Sequence, residues 1–156
     1  MVHISLIPLE EFRRIRSTDV NRDLQLELLA DMCRANTLAS VKRAGSGHLG
    51  SSFSSLDIVT LLYYSEMNTA TLGIDDPNRD IYFSSKGHDV PGQYSVLFSL
   101  GILPKEKFVR LRRLGGTYGD IDIRHAGGKI SRAAGAGPAR GAGGPHRAPG
   151  LLPHLP

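Results

Sequence analysis

The sequence predicts an α/β fold in which helices flank a parallel sheet, with a helix-rich N-terminal portion. Residues 21–43 carry a long helical pattern, and residues 80–84 form a short apolar run that is typical of a buried strand. A glycine-histidine loop follows that run, and Pro91 then suits the first turn of a further helix. Ligands in α/β folds bind beyond the carboxyl ends of parallel strands. Functional residues are therefore expected in the loop after residue 84.

The first long helix has recognisable ends as well as an apolar stripe. Asp19 or Asn21 can cap its N-terminus, and Gly45 can end it in the left-handed conformation that glycine favours. Lys42 and Arg43 suit the negative end of the helix dipole. Five residues at helical spacing are predicted to form its buried stripe: Leu24, Leu28, Met32, Ala35 and Ala39.

Three further helices are predicted after this one. The segment Ser54-Ser55-Leu56-Asp57 has the spacing of a capping box and begins the second helix. The third runs from Pro91 to the stop at Gly101, and the fourth starts at Pro104 and ends at Gly115-Gly116.

The composition is that of a single globular domain, with 40% hydrophobic and 22% charged residues among 156. No apolar run is long enough to span a bilayer, and no secretory signal is recognised at the N-terminus. The single cysteine, Cys33, excludes an internal disulfide and is expected to be a buried structural thiol. We therefore expect a cytoplasmic protein that has no membrane partner.

The net charge of +4 does not indicate nucleic-acid binding, because the basic residues are scattered. All 15 acidic residues and 15 of the 19 basic ones lie in residues 1–125, so this part is neutral. The basic residues lack a helix face with interleaved aromatics, and no nucleic-acid motif is present. We expect no nucleic-acid partner.

The composition changes near residue 126 and divides the chain into three predicted regions. Residues 126–156 contain 8 Gly, 5 Pro and 7 Ala, which leaves too few large apolar side chains to offset the entropy of ordering. We predict a disordered low-complexity tail at 126–156, a domain at 21–125 and an N-terminal extension at 1–20.

Two histidines, each directly preceded by glycine, predict one composite site. His48 lies in a glycine- and serine-rich loop, and His88 lies in Ser84-Ser85-Lys86-Gly87-His88. Glycine lets the backbone turn sharply and approach a ligand, and histidine suits proton transfer near neutral pH. A single Gly-His dipeptide is most simply a polar loop, but the longer surroundings of both histidines favour a functional site.

These surroundings resemble the N-terminal, thiamine-diphosphate-binding part of transketolase, over roughly residues 20–119. Within that family the resemblance is closest to split, two-chain enzymes whose N-terminal half is a separate gene product. Deoxyxylulose-phosphate synthase is the second possibility. The matching blocks are Ser46-Gly47-His48-Leu49-Gly50-Ser51-Ser52, Leu56-Asp57-Ile58, Leu62-Tyr63, Arg79-Asp80, Ser85-Lys86-Gly87-His88 and Tyr94-Ser95-Val96-Leu97.

The resemblance implies a partial thiamine-diphosphate-binding fold and a role for three residues. His48 would contact substrate hydroxyls and assist proton transfer, Ser51 would lie beside the cofactor, and His88 would contact the diphosphate and the reacting centre. Thiamine diphosphate with Mg²⁺ is the implied cofactor, and sugar phosphates are the implied substrates. The implied reaction is transfer of a two-carbon ketol unit from a ketose phosphate to an aldose phosphate. A C-terminal transketolase half is the implied partner, in a dimer of such pairs.

The chain also departs from the family pattern after Tyr118-Gly119. Asp120 stands where the family has a histidine facing the reaction centre, and the family's metal-binding motif has no counterpart. We therefore expect the chain to be inactive alone. A non-catalytic remnant or an assembly subunit is the alternative, and His125, His146 and His154 are assigned no role.

Overall fold

The computed structural model describes residues 4–111, and this part of the chain is built from helices. No strand is found among these residues, so the helix-rich portion is observed while the parallel sheet stays a prediction. A one-turn π-helix, Leu62–Glu66, continues the third helix directly. The α-helices are α1 Leu9–Arg16, α2 Arg22–Ala44, α3 Leu49–Leu61, α4 Thr69–Leu72, α5 Val90–Ser99 and α6 Lys105–Phe108.

Helix α2 begins and ends where the sequence predicts. Of the two proposed caps Asn21 is the one used, and its side chain accepts hydrogen bonds from the backbone N–H groups of Asp23 and Leu24. Gly45 ends the helix with φ 71°, the left-handed conformation that glycine adopts without strain.

The predicted buried stripe of α2 is wrong by about one position. Leu24 and Leu28 are 47% and 38% exposed, and of the five stripe residues only Ala39 is buried. The buried face instead includes Gln25 and Asn36, whose amides bind the backbone of the preceding segment. Hydrophobic periodicity cannot identify this face, because these polar side chains are buried through hydrogen bonds that satisfy them.

The N-terminal segment packs into the core through these contacts. Asn36 accepts a hydrogen bond from the Ile7 backbone N–H at 2.7 Å and donates one to the Ile7 carbonyl at 3.0 Å. Phe12 of α1 is fully buried, and its ring meets Phe98 edge-on with centroids 6.4 Å apart. Residues 4–16 therefore cover the same core as the helices that follow.

Helix α3 begins five residues before the predicted capping box. It starts at Leu49, directly after His48, and Ser54 is an interior residue whose hydroxyl donates to the Ser51 carbonyl. Asp57 pairs with Arg34 of α2 instead of capping a helix. The helix extends to Leu49 because its first turns are packed: Ser52 is fully buried against α5.

Helix α5 is the centre of the described structure, since all ten of its residues are buried. It begins one residue before Pro91, as the proline predicts, and contacts α2, α3, α1 and α6. Phe98 stacks on Phe108 of α6 with centroids 5.1 Å apart. The N-terminal ends of α3 and α5 are thus fixed by a common core.

Residues 80–84 do not form the predicted strand within the described part of the chain. A strand requires a second strand for its backbone hydrogen bonds, and residues 4–111 supply none. The side chains still alternate, with Ile81 and Phe83 62% and 56% exposed and Tyr82 half-buried beside Tyr63. Asp80 ties the segment to α4, because its N–H and carboxylate bond reciprocally to Asn68.

Several expectations fall beyond the described residues. Asp120, the helix end at Gly115-Gly116 and the tail at 126–156 lie there, as do His125, His146 and His154. Within residues 4–111, none of the helices is both long and apolar enough to cross a membrane.

Candidate functional site

His48 stands at the first turn of α3, held by a glycine turn behind it. It is the residue directly before the helix, with φ −102° and ψ 105°, and its side chain is exposed. Gly47 has φ 149°, and a Cβ added there would lie 2.9 Å from a methyl group of Val41. The turn therefore presses against α2, and only glycine fits it without movement.

His88 is presented by a turn that leads into α5. The Ser84 hydroxyl donates to the Asp89 carboxylate, with Oγ–Oδ distances of 3.0 and 3.2 Å, and accepts from the Lys86 backbone N–H at 3.2 Å. The Asp89 N–H in turn donates to the Lys86 carbonyl at 3.4 Å. These bonds tie down both sides of Gly87-His88, while the imidazole itself is exposed.

The two imidazoles lie side by side. Their ring centroids are 5.5 Å apart with the planes at 67°, an edge-on arrangement of residues that are forty positions apart in the sequence. The expectation that the two glycine-histidine loops meet is therefore confirmed. Its placement at the carboxyl edge of a parallel sheet stays a prediction.

Ser51 lies in the first turn of α3, three residues after His48. Its hydroxyl oxygen is inaccessible to solvent and has no hydrogen-bond partner in the described structure. A buried hydroxyl without a partner is costly, and a bound polar group would satisfy it. This is the observation that fits Ser51 to contact with a cofactor.

Two helix N-termini lie beside the imidazoles and can favour an anion. Helices α3 and α5 both begin here, and the side chains of their N-cap residues, His48 and Asp89, make no bond to the first N–H groups. Free N–H groups and the helix dipole favour negative charge at such ends. Lys86 adds a cation in the exposed turn, and the buried Asp89 carboxylate at the start of α5 is bound by the Ser84 hydroxyl. These features fit the diphosphate of thiamine diphosphate.

The described residues offer less for the metal ion. No group of three or more histidine, cysteine, aspartate or glutamate side chains suited to a metal lies within residues 4–111. Magnesium bound to a diphosphate takes oxygen ligands from one or two carboxylates and from the phosphates. The diphosphate of the cofactor is therefore better matched by the described residues than its cation.

Two residues of the site were missed by sequence reasoning. Asp89 is 8% exposed. Burial of Tyr82 raises the pKa of its hydroxyl, and the nearby negative charge of Asp89 raises it further. Ser52 is fully buried, with its hydroxyl 2.9 Å from the His48 carbonyl and 3.4 Å from that of Asp89. Asp89 could have been noticed as a potential cap after His88. Ser52 lies in the block that resembles the family, but nothing in the sequence indicates its contact with Asp89.

Comparison with known proteins identifies the class to which this site belongs. Residues 26–134 match the model of the family described as transketolase, thiamine diphosphate binding domain. The match includes both histidine loops and well over half of the chain. The chain belongs to this family.

Three relatives show the range of the similarity. Transketolase of Mus musculus is 32% identical over 85 residues, which are 54% of this chain and 14% of that protein. The 6-deoxy-6-sulfo-D-fructose transketolase subunit SqwG of Clostridium sp. (strain MSTE9) is 32% identical over 94 residues, 60% of this chain and 34% of that protein. An apulose-4-phosphate transketolase subunit of Actinobacillus succinogenes is 38% identical over 60 residues, 38% of this chain and 22% of that protein.

The chain thus spans between a seventh and a third of these relatives' lengths. No solved structure matches it significantly.

Proposed function

We propose that the chain is the N-terminal, thiamine-diphosphate-binding part of a transketolase that transfers a two-carbon ketol unit between sugar phosphates. The observation that carries this proposal is the pairing of the His48 and His88 imidazoles at the starts of two helices, inside the region matched by the family model. Exposed imidazoles beside two helix N-termini suit a reaction that moves protons on a phosphorylated, hydroxyl-rich substrate.

Each site residue then has a role that its surroundings support. Thiamine diphosphate supplies the electron sink for carbon–carbon cleavage when it is bound. His88 and the buried Ser51 hydroxyl hold the cofactor, and the starts of α3 and α5 stabilise its diphosphate. His48 contacts the substrate hydroxyls and carries a proton to or from them.

The active enzyme requires a second half. Relatives named as subunits of transketolases support a partner that is a separate C-terminal subunit. The proposed assembly is a dimer of such pairs. Mg²⁺ would then take ligands from outside residues 4–111. The isolated chain is accordingly expected to transfer no ketol unit.

Calorimetric titration of thiamine diphosphate with Mg²⁺ into the full chain, with and without the candidate partner, tests the proposal. We expect binding that His88→Gln and Ser51→Ala weaken. Ser54→Ala is the matched control, since this exposed serine of the same helix makes only a local bond and should leave binding unchanged.

Two results would count against a catalytic role. Absence of binding even with the partner would favour the non-catalytic remnant or assembly subunit. Binding that is weakened by Ser54→Ala as much as by Ser51→Ala would show that the loss in Ser51→Ala reflects damage to α3 and not contact with the cofactor.

A further inference from the structure

One buried hydroxyl connects the two histidine loops. The Ser52 Oγ lies 2.9 Å from the His48 carbonyl oxygen and 3.4 Å from the Asp89 carbonyl oxygen. The first contact is the local bond that serines in helices commonly make to the carbonyl four residues earlier. The second spans 37 residues and joins the start of α3 to the start of α5. The Ser52 hydroxyl thus lies between a carbonyl of the residue that carries one imidazole and a carbonyl of the neighbour of the other.

Helices α3 and α5 are tightly packed where Gly92 meets Ser52. A Cβ added to Gly92 of α5 would lie 3.1 Å from the Ser52 carbonyl oxygen and 3.3 Å from the Ser52 Cβ. The two helices therefore touch backbone to backbone one turn below the imidazoles. Because protein interiors are close-packed, a shift of one helix at this contact would displace the other.

The second connection holds the His88 turn against α5. The Asp89 carboxylate is buried and accepts from the Ser84 hydroxyl, which also accepts from the Lys86 N–H. The Asp89 carbonyl accepts from the Gly92 N–H at 3.0 Å, as the first bond of α5. Asp89 therefore fixes His88 from one side by its carboxylate and from the other by its carbonyl.

We propose that Ser52 and the Ser84–Asp89 pair are positioning groups that set the separation of the His48 and His88 imidazoles. This positioning role rests on the proposed function. A fixed separation would place His48, which transfers a proton, and His88, which holds the cofactor, against the same bound substrate. None of the three positioning groups touches the substrate. They act through the loops that carry the imidazoles.

Binding of Zn²⁺ by the two imidazoles reports their separation in the full chain without any cofactor. Two imidazoles on one tetrahedral Zn²⁺ have ring centres about 5 Å apart, given zinc–nitrogen bonds of about 2.0–2.1 Å. The observed 5.5 Å is close to that value. The pair should therefore chelate Zn²⁺ about tenfold more tightly than either histidine alone. The double variant H48Q/H88Q reports the background from the other four histidines and from Cys33.

Calorimetric Zn²⁺ titration of Ser52→Ala, Ser84→Ala and the control Ser55→Ala, each with its melting temperature, completes the test. Ser55 is the matched control, because its hydroxyl makes only a local bond, to the Ser52 carbonyl at 3.1 Å. We expect S52A and S84A to bind Zn²⁺ as weakly as His48→Gln, and S55A to bind it like the wild type. Ser84→Ala leaves α3 untouched, so it decides the matter if S52A does not fold.

Wild-type chelation by S52A and S84A would overturn the proposal. Equal loss in S55A, or no chelation by the wild type, would overturn it as well. None of these titrations uses thiamine diphosphate, so this test is independent of the proposed function. If only the proposed function is wrong, the histidine pair would still chelate Zn²⁺ as expected while the cofactor would not bind.

Discussion

The turn before His48 allows a sharp prediction, because Gly47→Ala introduces two separate costs. Gly47 has φ 149°, a backbone conformation that residues with a side chain rarely adopt. The new Cβ would also lie 2.9 and 3.0 Å from the two methyl carbons of Val41. Val41 is 8% exposed and β-branched, so its side chain has few alternative rotamers with which to withdraw.

These costs can be estimated and separated. The backbone strain is worth about 1–3 kcal/mol and the overpacking about 1–3 kcal/mol. Gly47→Ala should therefore lower the free energy of unfolding by about 2–6 kcal/mol. Gly45→Ala is the control: its φ is 71°, but a Cβ there meets nothing within 4 Å, so only a backbone cost of about 1–2 kcal/mol remains.

Urea unfolding of a double-mutant cycle measures both parts. Val41→Ala removes the two methyl carbons, so combining it with Gly47→Ala should recover about 1 kcal/mol or more relative to the sum of the single variants. The backbone part should persist in the double variant. A G47A variant no less stable than G45A, or a strictly additive cycle, would refute the account of this turn.

Three further predictions concern the core. Asn36→Ala should cost about 2–3 kcal/mol in urea unfolding, because it leaves the Ile7 N–H and carbonyl without partners, and it should speed amide exchange of Ile7; an unchanged exchange rate would contradict this. Cys33 is fully buried, which raises its thiol pKa to about 12, so a thiol reagent at pH 8 should label it only after denaturation; rapid labelling of the native chain would contradict its burial. The unfolded chain releases the Cys33 proton near pH 9 while the folded chain retains it, so stability should fall as pH rises from 9 towards 12, by up to about 1.4 kcal/mol per pH unit. Burial likewise raises the pKa of Tyr63 to about 12, and Cys33→Ala should reduce the slope without abolishing it.

Sequence reasoning succeeded where structure is local. The Asn21 cap and the Gly45 end of α2 depend on hydrogen bonds within three or four residues, so the residue types alone indicate them. Pro91 at the start of α5 is predictable for the same reason. The pairing of the histidine loops was inferred from their glycine surroundings and from the family resemblance, and the 5.5 Å separation confirms that they meet.

It failed where distant contacts decide. The predicted buried face of α2 is wrong because Gln25 and Asn36 are buried through hydrogen bonds to residues 7–16. The spacing of apolar residues does not indicate such bonds. The start of α3 was placed too late because packing against α5, not a capping side chain, stabilises Leu49 to Phe53. The strand at 80–84 shows alternation, yet a strand also needs a partner that residues 4–111 do not supply.

The same distinction explains which parts of the site a sequence can reveal. Histidines, glycines and serines in recurring blocks mark the groups that would touch a ligand. The positioning roles of Asp89 and Ser52 are not indicated in this way, even though Ser52 lies in such a block, because they depend on contacts between distant parts of the chain. Their importance follows from two contacts. Ser52 bonds to the Asp89 carbonyl where α3 and α5 approach closely at Gly92, and Ser84 bonds to the Asp89 carboxylate within the turn before α5. Short stretches of sequence thus indicate which groups of the site do chemistry, whereas the separation of the two imidazoles depends on how the helices pack.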